Sequence, residues 1–133
     1  MHYKTWDRHD SINFTNNFNS KEFVCQCGIC KPQKISTELL DKLQQLRQVM
    51  GVPLKITSAY RCVNRQASLV KNPNIQTVQN SQHTLGNAVD ISCKDLDKLF
   101  EEAKKLFMAV GDGRSKGFIH VDIRKDKQRV WLY

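Results

Sequence analysis

The chain has 133 residues, 40% of them hydrophobic, which is enough to bury one core and too apolar for a disordered segment. No run approaches the roughly 20 apolar residues needed to cross a bilayer, and the opening Met1-His2-Tyr3-Lys4-Thr5-Trp6-Asp7 lacks the apolar stretch of a signal peptide. A net charge of +8 favours polyanionic partners, but no helix-turn-helix, zinc-finger or aromatic RNA-binding pattern accompanies it, so no specific nucleic-acid partner and no membrane insertion are expected.

In chain order, the Asn-rich opening Asn13–Asn19 is expected to wrap over the core through Phe14 and Phe18. A first helix is predicted from Thr37 to Met50, with Ser36 as N-cap, Glu38 at the positive end and Gly51 as the C-terminal stop. Its residues Leu39, Leu43, Leu46, Val49 and Met50 share one face. A strand follows from Leu54 to Tyr60, then a short helix over Val63–Leu69. Ala88–Ser92 alternates like a strand, and Asp95 starts a helix whose stripe of Leu96, Leu99, Phe100, Ala103, Leu106 and Phe107 is core packing. Gly111-Asp112-Gly113 reads as a flexible loop. Two strands close the chain, Phe118–Ile123 and Gln128–Tyr133, joined by the Lys125-Asp126-Lys127 turn. Helices covering a largely antiparallel sheet give an α+β fold. One domain over 1–133 is expected, with residues 1–35 a cysteine-containing wrap and 36–133 the core.

The chemistry concentrates in two segments. Ser81-Gln82-His83-Thr84-Leu85-Gly86-Asn87-Ala88-Val89-Asp90 and Phe118-Ile119-His120-Val121-Asp122 hold two of the four histidines and two carboxylates between them. Alternation puts Ile119, Val121 and Ile123 on one face and His120 with Asp122 on the other. Gly86 gives the preceding turn the freedom to bring His83 back beside Asp90. Two His and one Asp suit a catalytic zinc, because three protein ligands leave the fourth tetrahedral position open. A structural metal, or polar residues simply hydrogen-bonded on a half-exposed strand, would use the same residues. Ser81 and Gln82 could line a cleft, although turn formation accounts for them equally well.

Five cysteines form the other unusual feature. Cys25-x-Cys27-x-x-Cys30 has chelating spacing, and Cys62 or Cys93 could complete a structural zinc site. Disulfides, with one thiol left over, and free thiols acting as small apolar groups are the alternatives.

Ser81-x-His83-x-x-Gly86-x-Ala88-x-Asp90 together with Phe118-Ile119-His120-Val121-Asp122-x-Arg124 resembles the M15 group of zinc peptidases. These are D-Ala-D-Ala carboxypeptidases and peptidoglycan endopeptidases, many of them phage-encoded, with the hedgehog/DD-peptidase fold. Ile56-Thr57-Ser58-Ala59-Tyr60-Arg61 resembles the strand that carries the family's substrate-binding Arg. Glu22-Phe23-x-Cys25-x-Cys27-Gly28-x-Cys30 is similar to the opening of small phage-type members. The resemblance implies a zinc held by His83, Asp90 and His120, with Arg61 pairing with a substrate carboxylate or a developing oxyanion. Two departures stand out. Gly117 occupies the position where many members carry a catalytic carboxylate, whereas Asp122 is typical of another branch. Val70–Thr77 replaces the glycine pair usual between the Arg strand and the first zinc His.

Asp122 is therefore the first choice for general base, with orienting a zinc ligand or pairing with an Arg as its other role. Asp112 is the second choice. The resemblance implies a peptidase acting on peptidoglycan peptides, expected as a monomer. Without a signal-peptide stretch it is expected to be made in the cytoplasm and to reach the wall by lysis, in a virion or through a helper. A non-catalytic wall- or partner-binding module of the same fold is the alternative.

Overall fold

The computed structural model describes residues 2–73 and 81–133. Two short strands, β1 (Tyr3–Trp6) and β2 (Gln33–Ser36), pair antiparallel and run directly into helix α1 (Thr37–Met50). Then come β3 (Lys55–Ser58), α2 (Val63–Val70), β4 (Ala88–Ser92), α3 (Leu96–Leu106), β5 (Ala109–Gly113), β6 (Phe118–Asp122) and β7 (Arg129–Leu132). The last five strands form one sheet in the order β3-β4-β6-β5-β7, antiparallel except for the β5–β7 pair. The fold is α+β, a mostly antiparallel sheet packed against helices, as the sequence patterns indicate. No helix among the described residues is long and apolar enough to cross a membrane.

Local signals fix the helices. The Ser36 hydroxyl accepts the Leu39 N–H at the start of α1, and Gly51 ends it in the left-handed region at φ 69°. Asp95 caps α3 through the Lys98 N–H. The buried stripe of α1 differs at its edge from the periodicity argument: Leu40 is buried and Val49 is half exposed. Both flank the Leu39-Leu43-Leu46-Met50 line, and tertiary neighbours decide which flank is covered.

Side chains from α1 and α3 meet the sheet through Val89, Ile91, Val110, Ile119, Val121 and Ile123. The N-terminal wrap adds Trp6, Phe18, Phe23 and Ile35 to this one apolar cluster, with Phe14 packed on its edge 5.0 Å from Trp6, ring to ring. The helices thus cover one sheet face. Cross-strand pairs place Ala88, Asp90, Gly111, His120, Asp122 and Trp131 together on the other.

Three features depart from the sequence reading. The strand leading to Arg61 stops at Ser58 after a register shift, so Arg61 lies in the turn beyond it. The residues Gly111, Asp112 and Gly113 belong to strand β5, not to a loop. The turn that joins the two closing strands does not make them neighbours in the sheet. Strand β6 is central, its edges taken by β4 and β5, so β7 pairs parallel to β5 instead. Of the Val70–Thr77 segment, residues 74–77 lie outside the described residues.

Candidate metal centre

Strands β4 and β6 are in register with Asp90 directly opposite His120, which puts a carboxylate and an imidazole side by side on the open face. His83 arrives from the turn before β4. That turn is closed by Thr84 N–H to Ser81 O, Leu85 N–H to Gln82 O and Gly86 N–H to His83 O. The Ser81 hydroxyl accepts the His83 N–H, and Gln82 accepts from the Asn87 side chain, so both residues shape the turn. Gly86 sits at φ 77°, and a Cβ there would lie 3.1 Å from the Lys34 carbonyl oxygen. Both the backbone conformation and the space demand glycine.

The ligand atoms converge. Asp90 Oδ1 lies 2.9 Å from His120 Nδ1 and 3.3 Å from His83 Nε2. One atom from each of the three residues falls within 4.8 Å of the others, and all three side chains are buried. The far nitrogens are engaged. His83 Nδ1 donates to the Ala59 carbonyl at 2.7 Å, and His120 Nε2 meets Asp122 Oδ2 at 2.8 Å. Each outer partner can hold a proton on the far nitrogen, so that the near nitrogen can turn its lone pair to an ion at the shared point, the usual support of a metal-bound imidazole. The donor set therefore fits a divalent ion.

The electrostatics of the metal-free site divide between the two imidazoles: His83 favours its neutral form and His120 its protonated form, so an arriving ion displaces a proton from His120. Burial pushes the His83 imidazole towards its neutral, metal-binding form. Burial also opposes a cation at His120, but Asp122 and Asp90 on its two sides outweigh it and raise its pKa. The Asp90 carboxyl stays well below the usual range, because the two imidazoles overcome the cost of burying its charge. A carboxylate held ionised between two imidazoles is a site with negative charge to offer a cation.

Arg61 stands at the rim. Its backbone N–H donates to the His83 carbonyl, and its guanidinium reaches Ser58 Oγ at 3.1 Å, Gln66 Oε1 at 3.2 Å and Asp90 Oδ2 at 3.4 Å. It thus touches the outer oxygen of the carboxylate whose inner oxygen faces the imidazoles.

Asp122 is fully buried, and both of its oxygens are engaged: Oδ1 accepts from Arg124 Nε at 2.8 Å, and Oδ2 accepts from Arg124 Nη2 at 2.7 Å as well as meeting His120. Asp112 pairs with Ile119 across the sheet, and Arg114 holds its carboxylate at 2.8 and 2.9 Å. Strand alternation puts it on the helix-covered face, away from His120.

Sequence reasoning missed the wall of the site. Trp131 and Tyr133 lie with ring centroids 5.2 and 6.3 Å from that of His120. A Cβ on Gly111 would come within 2.5 Å of the Tyr133 ring and 2.8 Å of Trp131, so the glycine makes room for both. Burial, reinforced by the nearby Asp90 charge, raises the Tyr133 phenol to about 12. The period-two spacing of the two aromatics was the available signal; it needed the pairing of β7 with β5 to show which face they occupy.

The family model for Peptidase M15 matches residues 14–122. The chain belongs to the M15 peptidase family. The match takes in the N-terminal wrap from Phe14 onward, the Arg61 turn and all three candidate metal ligands. No curated protein matches the chain. Membership makes the centre that of a metallopeptidase family, and His83, Asp90 and His120 are the residues that could hold its ion.

Proposed function

We propose that the protein is a zinc-dependent peptidase that hydrolyses peptide bonds of bacterial peptidoglycan, acting as a monomer, as a phage endolysin or virion-associated lysin would. The observation that carries the reading is the His83-Asp90-His120 cluster with the far nitrogen of each imidazole already bonded, inside a domain of the M15 family. Zinc bound there supplies Lewis acidity, which polarises a carbonyl and makes water nucleophilic near neutral pH.

The remaining work falls to the chain. Arg61 offers N–H groups at the rim that can pair with a substrate carboxylate or a developing oxyanion, a task suited to a planar guanidinium. Asp122, held by Arg124, keeps His120 turned towards Asp90 and acts as a positioning residue. Trp131 and Tyr133 give one wall of the site an apolar, low-dielectric character. A wall substrate is supported by the carboxylates of peptidoglycan stems, which Arg61 suits, and by the +8 charge, which favours approach to anionic wall polymers.

One observation favours a second reading, a wall-binding module that keeps its metal for structure. Gly117 occupies the position where the family resemblance implies a catalytic carboxylate, and Asp122 is already committed to Arg124 and His120. Purified peptidoglycan incubated with the protein separates the two. Soluble peptide fragments identified by mass spectrometry, together with falling turbidity, establish hydrolysis and name the bond. Co-sedimentation with intact wall and no fragments establishes the binding module.

A further inference from the structure

A second cluster lies outside this centre. Cys25, Cys27 and Cys30 come from the wrap and Cys62 from the turn after Arg61, and their four sulfurs all lie within 4.8 Å of one another. Cys93, just past the end of β4, is not among them; its thiol donates to the Asp95 carbonyl. None of the five forms a disulfide.

Several donors point at the sulfurs. Cys27 Sγ accepts from the backbone N–H groups of Ile29 and Cys30, at 3.5 and 3.2 Å. Cys25 Sγ accepts from the Cys62 N–H at 3.3 Å, and Cys62 Sγ from the Arg65 N–H at 3.4 Å. Gln33 Nε2 lies 3.4 Å from Cys30 Sγ. Arg8 brings a guanidinium 3.4 Å from Cys30 Sγ and 3.8 Å from Cys27 Sγ, and anchors to the Cys30 carbonyl. Neutral thiols have no need of such an array, whereas thiolates sharing a cation do, and Arg8 offsets the negative charge that four thiolates leave beside one divalent ion.

We propose that Cys25, Cys27, Cys30 and Cys62 form a closed tetrathiolate site for a structural zinc ion, which ties the N-terminal wrap to the turn that carries Arg61. Four sulfurs at zinc–thiolate bond length span tetrahedral edges of roughly 3.8 Å, so the observed spacing suits one ion and is too tight for a cluster of several irons. Four protein ligands leave no open position, which marks the site as structural. Each thiol releases its proton to solvent as the ion binds. Cys62 follows Arg61 directly and caps α2 through the Arg65 N–H, so the ion fixes the backbone on which the rim arginine stands.

The test uses the full chain carrying His83→Ala and His120→Ala, which removes the imidazole centre and leaves every cysteine, so its outcome is independent of peptidase activity. The expected result is one retained equivalent of zinc. Cobalt substitution of that equivalent should give an intense thiolate-to-cobalt charge-transfer band. Cys27→Ser added to this variant should abolish both. Because that variant can fail to fold, hydrogen exchange on the cysteine-intact variant provides a second reading. Stripping its metal should speed exchange at the amides of Cys62 and Arg65 on the order of tenfold or more. Absence of bound metal, iron in place of zinc, a cobalt spectrum without the thiolate band, or a disulfide mapped among the four cysteines of freshly purified protein would overturn the site. Unchanged exchange at residues 61–65 after metal removal would overturn the link to Arg61.

Discussion

His120 and Asp122 stand two residues apart on one strand, joined Nε2 to Oδ2 at 2.8 Å, while the other imidazole nitrogen faces Asp90 at 2.9 Å. This line of carboxylate, imidazole and carboxylate is fully buried at its outer end and tied there to Arg124. A group so placed controls how His120 presents its near nitrogen.

Asp122→Asn should therefore weaken zinc binding by about 10–100-fold, the usual cost of losing such a partner. Excess zinc should restore most of the hydrolysis. Chelator competition gives the affinity, and a rate measured against zinc concentration gives the rescue. Unchanged affinity with a loss on the order of a hundredfold that zinc does not repair would make Asp122 the general base instead.

Arg61→Ala should lower kcat/KM on carboxylate-bearing wall peptides by on the order of a hundredfold or more while zinc content is kept, and Arg61→Lys should recover only part of it. The guanidinium already rests on Ser58 and Gln66, so it is positioned before substrate arrives. Wild-type kinetics in the alanine variant would reduce Arg61 to a structural tie.

Adjacent residues on β5 should behave in opposite ways because they face opposite sides of the sheet. Asp112→Asn changes a carboxylate held by Arg114 on the helix side and should leave turnover close to wild type. Gly111→Ala drives a methyl group into Trp131 and Tyr133 and should cost about 1–3 kcal/mol of stability, measured by denaturant unfolding, with reduced turnover. A dead Asp112→Asn enzyme of normal stability would show that the wrong face has been assigned.

Acid stability gives another check. Burial alone would raise the Asp122 carboxyl, but Arg124 and His120 overcome it and hold its pKa at about 2, against an ordinary 3.8. A lowered carboxyl contributes stability that is fully present above its unfolded pKa and is lost as pH falls through the folded one. In the metal-free protein that contribution is on the order of 2 kcal/mol and should disappear between about pH 4 and pH 2. The limb should be shallower in Asp122→Asn. Parallel pH–stability curves for the two proteins would contradict the assignment.

Much of this was legible in the chain itself. Caps and periodicity located α1 and α3 almost to the residue, because Ser36, Gly51 and Asp95 act locally. The period of two in Phe118–Ile123 separated core face from site face correctly, and the spacing from His83 to Asp90 marked the centre. Strand β5 was hidden because Gly111 and Gly113 read as a loop. Their glycines answer instead to the rings of Trp131, Tyr133 and Phe118, which come from other segments. The pairing of β1 with β2 joins segments some thirty residues apart, and no local pattern encodes it. For the same reason the choice of Cys62 over Cys93 as fourth member of the thiol cluster required the fold.

Whether His83, Asp90 and His120 hold a zinc ion is decided by metal analysis of purified wild-type, His83→Ala and His120→Ala proteins. Each single variant, correctly folded by circular dichroism, should carry one equivalent of zinc fewer than wild type. Equal zinc content in all three proteins would contradict it.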